Sequence, residues 1–298
     1  MNKIFRKLFL AVVAFAFFFL AAHLTATPDA QERSVPGVTP QQLANPAPPR
    51  TPRPQLVPES AATSQEVNSG VPETAETNEM DGENLPFGLQ ETGDGFHGDE
   101  VNAAAGQTWL GLFTSGNGFY LRRTKIAVSM VNDPIPDDEN EQTGKSVATD
   151  IRDKSVFLLK RADFLREGPI KTVFFAPDIN ESTTELANGT IKKFSFGGKS
   201  YELMVANDVS KEKFLGSGAK LLLKSGDKVQ MLRDLKEGCD DCYWNLYWVG
   251  DLDRDGKLDF YLDLSNHYNV TDKRLFLSSR AKTGELVGYV ANFSTVGC

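Results

Sequence analysis

The stretch Tyr243–Tyr268, YWNLYWVGDLDRDGKLDFYLDLSNHY, decides how the folded part of this chain is built. It opens on aromatic and aliphatic residues of the kind that suit a pleated, well-packed strand. It leaves through Leu258, Phe260, Leu262 and Leu264, which alternate with the period of two that places one face of a strand against a core. Between these arms lie Asp251, Asp253 and Asp255, then Gly256, Lys257 and Asp259. The pattern predicts strand–loop–strand, with neither flank suited to a helix.

Five carboxylates between Asp251 and Asp263 are opposed by Arg254 and Lys257 alone, and crowding so many like charges costs stability unless a cation joins them. A hard cation such as calcium takes roughly six to eight oxygen ligands, and this spacing supplies them. Asp251, Asp253 and Asp255 turn inward from alternate loop positions, Gly256 permits the tight turn, the backbone carbonyl of Lys257 faces the ion, and Asp259 closes the shell. Calcium is the expected cofactor; magnesium prefers fewer protein ligands and strict octahedral geometry. The expected role is structural, fixing the hairpin and the strands packed on it. The helix-flanked calcium loop called the EF-hand is excluded, because Leu262 stands where its bidentate glutamate belongs.

The loop resembles the calcium loops of FG-GAP and VCBS-type repeats, which occur in integrin-like propellers and in many exported bacterial proteins. The resemblance covers the loop and its flanking strands and implies Asp251, Asp253, Asp255, Lys257 (through its carbonyl) and Asp259 as ligands. It implies calcium binding but not the propeller, since the loop occurs once and residues 87–298 are too few for the usual array of blades.

Outward from this hairpin, residues 87–298 carry short aromatic and β-branched runs separated by turn signals such as SGNG, ANGT, FGGKS and KTGE. Strands are predicted at Trp109–Phe113, Phe119–Val131, Ser155–Lys160, Lys171–Phe175, Ile191–Phe196 and Tyr201–Ala206. Further strands are predicted at Ala219–Lys224, Lys228–Arg233, Tyr243–Val249, Leu258–Leu264, Arg274–Ser278 and Leu286–Phe293. KLLLKSGDKVQMLRD reads as a hairpin with Ser225, Gly226 and Asp227 at its tip. Short helices are expected near Lys160–Glu167 and Val209–Phe214. The fold class is all-β, a mostly antiparallel sandwich or barrel, and the absence of a sequence repeat argues against a propeller or solenoid.

Residues 1–26 pair Lys3, Arg6 and Lys7 with an apolar run from Leu8 to Leu24, the pattern of a cleaved export signal or a retained signal anchor. Residues 27–86 hold 11 of the 15 prolines and no aromatic residue, so they cannot bury enough surface to fold and are expected to form a disordered linker. The protein is therefore expected to be periplasmic, cell-surface or secreted, with a membrane tether if the signal is kept. A net charge of −8 argues against non-specific nucleic-acid binding.

Cys239, Cys242 and Cys298 allow one disulfide in an exported chain, either Cys239–Cys242 or one of these with Cys298. Redox chemistry at the CDDC segment, or zinc held by the cysteines with His267, are weaker readings of the same residues. Tyr243, Trp244, Tyr247 and Trp248 point to both faces of a strand, so one set is expected in the core while the other offers a stacking platform for a sugar or peptide. No nucleophile elbow, HExxH or Walker loop is present. The leading expectation is a calcium-stabilised, non-enzymatic binding or structural module for a protein or glycan. The alternative is a secreted, calcium-supported hydrolase of carbohydrate or cell-wall polymer, which needs two carboxylates facing one cleft apart from Asp251–Asp259.

Overall fold

The computed structural model describes residues 85–297, apart from 134, 179–182, 207–214, 237–238 and 240. The export signal, nearly all of the expected linker, the expected helix at Val209–Phe214 and Cys298 lie outside these residues. The regular structure of the described residues is strand, apart from one short 3-10 turn. In chain order they are β1 (Gly88–Gln90), β2 (Gly93–Phe96), β3 (Thr108–Ser115), β4 (Gly118–Val131), β5 (Gly144–Thr149), β6 (Lys154–Lys160), β7 (Gly168–Phe175) and β8 (Ile191–Phe196). They continue as β9 (Lys199–Ala206), β10 (Lys220–Ser225), β11 (Lys228–Asp234), β12 (Trp244–Asp251), β13 (Asp259–Leu264), β14 (Val270–Leu277) and β15 (Gly288–Val296).

One antiparallel sheet runs β1-β6-β3-β4-β7-β12-β13-β14-β15, with β5 paired to the far part of β4 and β2 paired to β5. The Phe87 N–H donates to the Val290 carbonyl at 3.2 Å, so the first and last strands of this path lie side by side and the sheet nearly closes into a barrel. Closure hides strand edges that would otherwise pair with other chains. The expectation of an all-β antiparallel fold holds, in its barrel form. A second sheet, β11-β10-β9-β8, contains the expected KSGDK hairpin, with Gly226 at φ 60° in its two-residue turn.

Three apolar clusters explain the packing. The barrel interior holds Leu89, Leu112, Leu121, Phe157, Trp248, Tyr261, Leu275 and Val290. The second sheet lays Tyr201, Leu203, Leu221 and Leu223 against Trp244, Leu246, Val249, Phe260, Leu262 and Phe276, on the opposite face of β12–β14. A smaller cluster joins Trp109, Phe113 and Leu158 to Val101, Ile126 and Val147. Every residue of β12 and β13 is consequently buried, because this hairpin is covered on both faces. The buried Gln230 ties the second sheet to the approach to β15: its Oε1 accepts from the Leu286 and Val287 N–H groups, and its Nε2 donates to the Val287 carbonyl.

Two expectations are corrected. Lys160–Glu167 is not a helix: β6 ends at Lys160, Arg161 adopts φ 63°, and a turn closed by Leu165 N–H to Ala162 O follows. The turn buries Ala162 and Leu165 without helical backbone. The aromatic platform is also absent from β12, where Trp244, Tyr247 and Trp248 are all buried. A register shift between Leu246 and Trp248 lets Tyr247 and Trp248 both join the barrel interior while Trp244 packs against the second sheet. Their indole N–H groups are satisfied by Thr172 Oγ1 and the Ser265 carbonyl. Tyr243, just before β12, is exposed.

Gly250 sits where β7 crosses β12, and a Cβ there would lie 2.5 Å from the Lys171 carbonyl oxygen and 2.4 Å from the Trp248 ring. Gly250→Ala is therefore expected to cost about 1–3 kcal/mol by overpacking, read as a lower denaturation midpoint with an unchanged slope.

Candidate metal centre

The acidic loop joins β12 to β13, with Asp251 the last residue of one strand and Asp259 the first of the next. Arg254 at φ 62° and Gly256 at φ 83° turn the chain between them. The β8–β9 turn lies directly against the loop: a Cβ on Gly197 would come within 2.6 Å of the Gly256 carbonyl oxygen, so that turn needs glycine for close approach as well as for its φ of 56°. Arg254 directs its guanidinium to the Pro169 carbonyl on β7, at 3.2 Å.

Asp251, Asp253 and Asp259 present carboxylate oxygens that all lie within 4.8 Å of one another. Asp259 is fully buried and fully bonded. Its Oδ2 accepts from the Leu252 N–H at 2.7 Å, and its Oδ1 accepts from the N–H and hydroxyl of Ser278 at 2.7 and 3.0 Å. Asp251 accepts from the Gly256 N–H through Oδ2, and Asp253 accepts from the Asp255 N–H through Oδ1. The remaining oxygens, Asp251 Oδ1 and Asp253 Oδ2, are buried without a hydrogen-bond partner among the described residues. Such orphaned acceptors cost free energy unless something meets them.

Asp255 stands apart from this trio. Its side chain accepts from the Lys257 N–H at 2.9 Å and the Lys257 ammonium at 2.7 Å, and it shares the single Ser278 hydroxyl proton with Asp259, at 3.0 Å. The structure thus brings three of the expected carboxylates together and turns the fourth toward Lys257 and Ser278. The electrostatics divide the same way. Burial pushes Asp251 and Asp259 upward, Asp259 strongly, and the Asp253 charge adds to both. Asp255 is held low despite its burial, because Lys257 and Ser278 bond to it. Ser278, in a short 3-10 turn after β14, was missed from the sequence; it lies far along the chain from the loop, and strand pairing alone brings it there.

Farther along β13, Asp263 is buried opposite Asn245. Its Oδ1 accepts from the Ser265 and Asp272 N–H groups at 3.2 and 2.9 Å. Burial pushes its pKa up to about 6, against the pull of those bonds and of the Lys273 charge. Cys239 and Cys242 are disulfide-bonded, with Cα atoms 5.5 Å apart. Among the described residues, the cluster of potential metal ligands is the aspartate trio, with no cysteine or histidine in it.

Comparison with protein families, with curated proteins and with solved structures finds no match for this chain.

A carboxyl with a folded-state pKa raised from about 4 to about 6 binds protons more tightly when folded, so its contribution to stability declines as pH rises across that interval. Asp263→Asn keeps an oxygen for the Ser265 and Asp272 N–H groups and removes the buried charge. It is expected to stabilise the protein at pH 7 by on the order of 2 kcal/mol, with the gain vanishing near pH 4. Denaturant titrations of both proteins at the two pH values check this.

Proposed function

We propose that the protein is an exported, calcium-stabilised β-domain that acts as a non-enzymatic binding or structural module. The observation that carries the calcium reading is the buried, unpartnered oxygen on each of Asp251 and Asp253, in residues whose carboxylates converge with that of Asp259 to within 4.8 Å. A divalent cation would meet both orphaned acceptors and offset three converging negative charges, the two costs this loop otherwise carries. The all-oxygen donor set suits a hard cation, and the resemblance to FG-GAP and VCBS-type loops favours calcium. Asp251, Asp253 and Asp259 are the residues to hold it; the Lys257 carbonyl and a reoriented Asp255 would complete the shell. Bound there, the ion cross-links the ends of β12 and β13 and, through Asp259, the turn after β14.

Export is supported by the basic residues and apolar run of residues 1–26, and the proline-rich segment that follows would hold the domain on a flexible spacer. The hydrolase alternative is carried less far. Asp263 and Glu185 do line one cleft, but Glu185 already has Lys192 as an electrostatic partner.

Calorimetric titration of the purified chain with calcium, with melting curves alongside, tests the reading. Wild type is expected to bind one ion per chain and to melt at a higher temperature when saturated, by roughly 2.7 kcal/mol of linkage at a hundredfold excess over the dissociation constant. Asp253→Ala is expected to lose both effects while folding without calcium. No heat and no melting shift up to several millimolar, the weak end for extracellular modules, would sink it.

A further inference from the structure

The cleft around Asp263 is a second site, at the open end of the β12–β13 hairpin and about 13 Å along β13 from Asp259 of the acidic loop. It has a volume of about 270 Å³ and is lined by Glu185, Tyr243, Asn245, Asp263, Tyr268, other residues of the β13–β14 connection and the start of β14. Its base is built from two buried polar side chains on paired strands. Asn245 and Asp263 are register partners, 4% and 3% exposed. Each spends half of its polar head on the protein. Asn245 Oδ1 accepts from the Thr184 hydroxyl at 3.0 Å, and Asp263 Oδ1 accepts from the Ser265 and Asp272 N–H groups. Asn245 Nδ2 and Asp263 Oδ2 have no hydrogen-bond partner among the described residues. The rim carries two exposed rings, Tyr243 at 49% and Tyr268 at 59%. The Tyr268 ring leans on His267 with centroids 4.5 Å apart, and His267 is itself held by Asn269 at 2.5 Å.

We propose that this cleft binds a single neutral, hydroxyl-rich ring: one sugar residue of a saccharide. A hydroxyl donates one hydrogen bond and accepts others, and the base offers a carboxylate oxygen that only accepts beside an amide nitrogen that only donates. One hydroxyl, or two adjacent ones, satisfies both. An ammonium group could meet Asp263 and Glu185 but would leave Asn245 Nδ2 unpaired, and an anion would be repelled by both carboxylates. The rings at the rim offer flat apolar surface to the C–H face of a sugar. The volume falls just below the roughly 300–1,000 Å³ of sites for drug-sized ligands, which suits one ring. The cavity beside Glu91 lacks this character. There Tyr261 donates to Glu91 at 2.9 Å, Lys273 pairs with it at 2.6 Å, and Thr92 bonds Ser155, so its polar groups satisfy one another.

The proposal deepens the binding-module reading and rests on it for the existence of a ligand, but not on the cation. Calorimetric titrations of the full chain with glucose, galactose, mannose and N-acetylglucosamine test it, with tetramethylammonium as the cationic comparison. At least one sugar is expected to saturate a single site. Tyr268→Ala, at an exposed position, is expected to weaken that binding roughly tenfold, and Asp263→Asn, which keeps the backbone bonds, by at least as much. Failure of all four sugars at tens of millimolar overturns the proposal. So does affinity unchanged in both variants, or tighter binding of tetramethylammonium. The calcium titration reads the loop and the sugar titration reads the cleft, so a chain that passes one and fails the other condemns only the reading that failed.

Discussion

Asp251 ends one doubly covered strand and Asp259 begins the next, and the charge between them is the constraint on which the hairpin depends. Both strands are buried along their whole length, so neither aspartate can swing into water without unpairing the ladder. Backbone N–H groups of Leu252, Gly256 and Ser278 meet part of this negative charge. They leave one buried oxygen on each of Asp251 and Asp253 unmet. An apolar pair here would pack without this cost. The loop instead keeps acids, and a cation is the simplest agent that turns their convergence from a liability into a cross-link.

The same hairpin joins the two layers of the fold. Trp248 and Tyr261 fill the barrel, while Trp244, Leu246, Phe260 and Leu262 hold the second sheet. Whatever fixes the loop end of β12 and β13 therefore acts on both cores at once. At the other end, the register that places Asn245 beside Asp263 forms the base of the cleft. Loop and cleft are thus built on one rigid two-stranded element, which holds side chains more closely than loops do.

Much of this was legible in the sequence. Alternation at Leu258–Leu264 and the spacing of Asp251, Asp253, Asp255 and Gly256 are local patterns, and the strands and turn they predict are present. What failed was non-local or too short. Gly88–Gln90 and Gly93–Phe96 are glycine-containing strands of three and four residues, without alternation long enough to register. The helix expected near Lys160–Glu167 is a turn instead, because Arg161 at positive φ breaks the backbone there while Ala162 and Leu165 are still buried. The aromatic run at Tyr243–Trp248 was read as two-faced with one face free; the second sheet that covers that face is visible only once β8–β11 are placed. Ser278 and the pairing of Asn245 with Asp263 depend on strand register, which spacing along the chain does not encode.

We propose a calcium ion held among Asp251, Asp253 and Asp259. Crystals grown with calcium and measured for anomalous scattering at long wavelength address it directly. A single strong peak is expected within about 2.3–2.6 Å of oxygens from these three residues, including Asp251 Oδ1 and Asp253 Oδ2. An ordered loop with no peak at calcium saturation, its two orphaned oxygens bridged instead by a proton or a water, would contradict it.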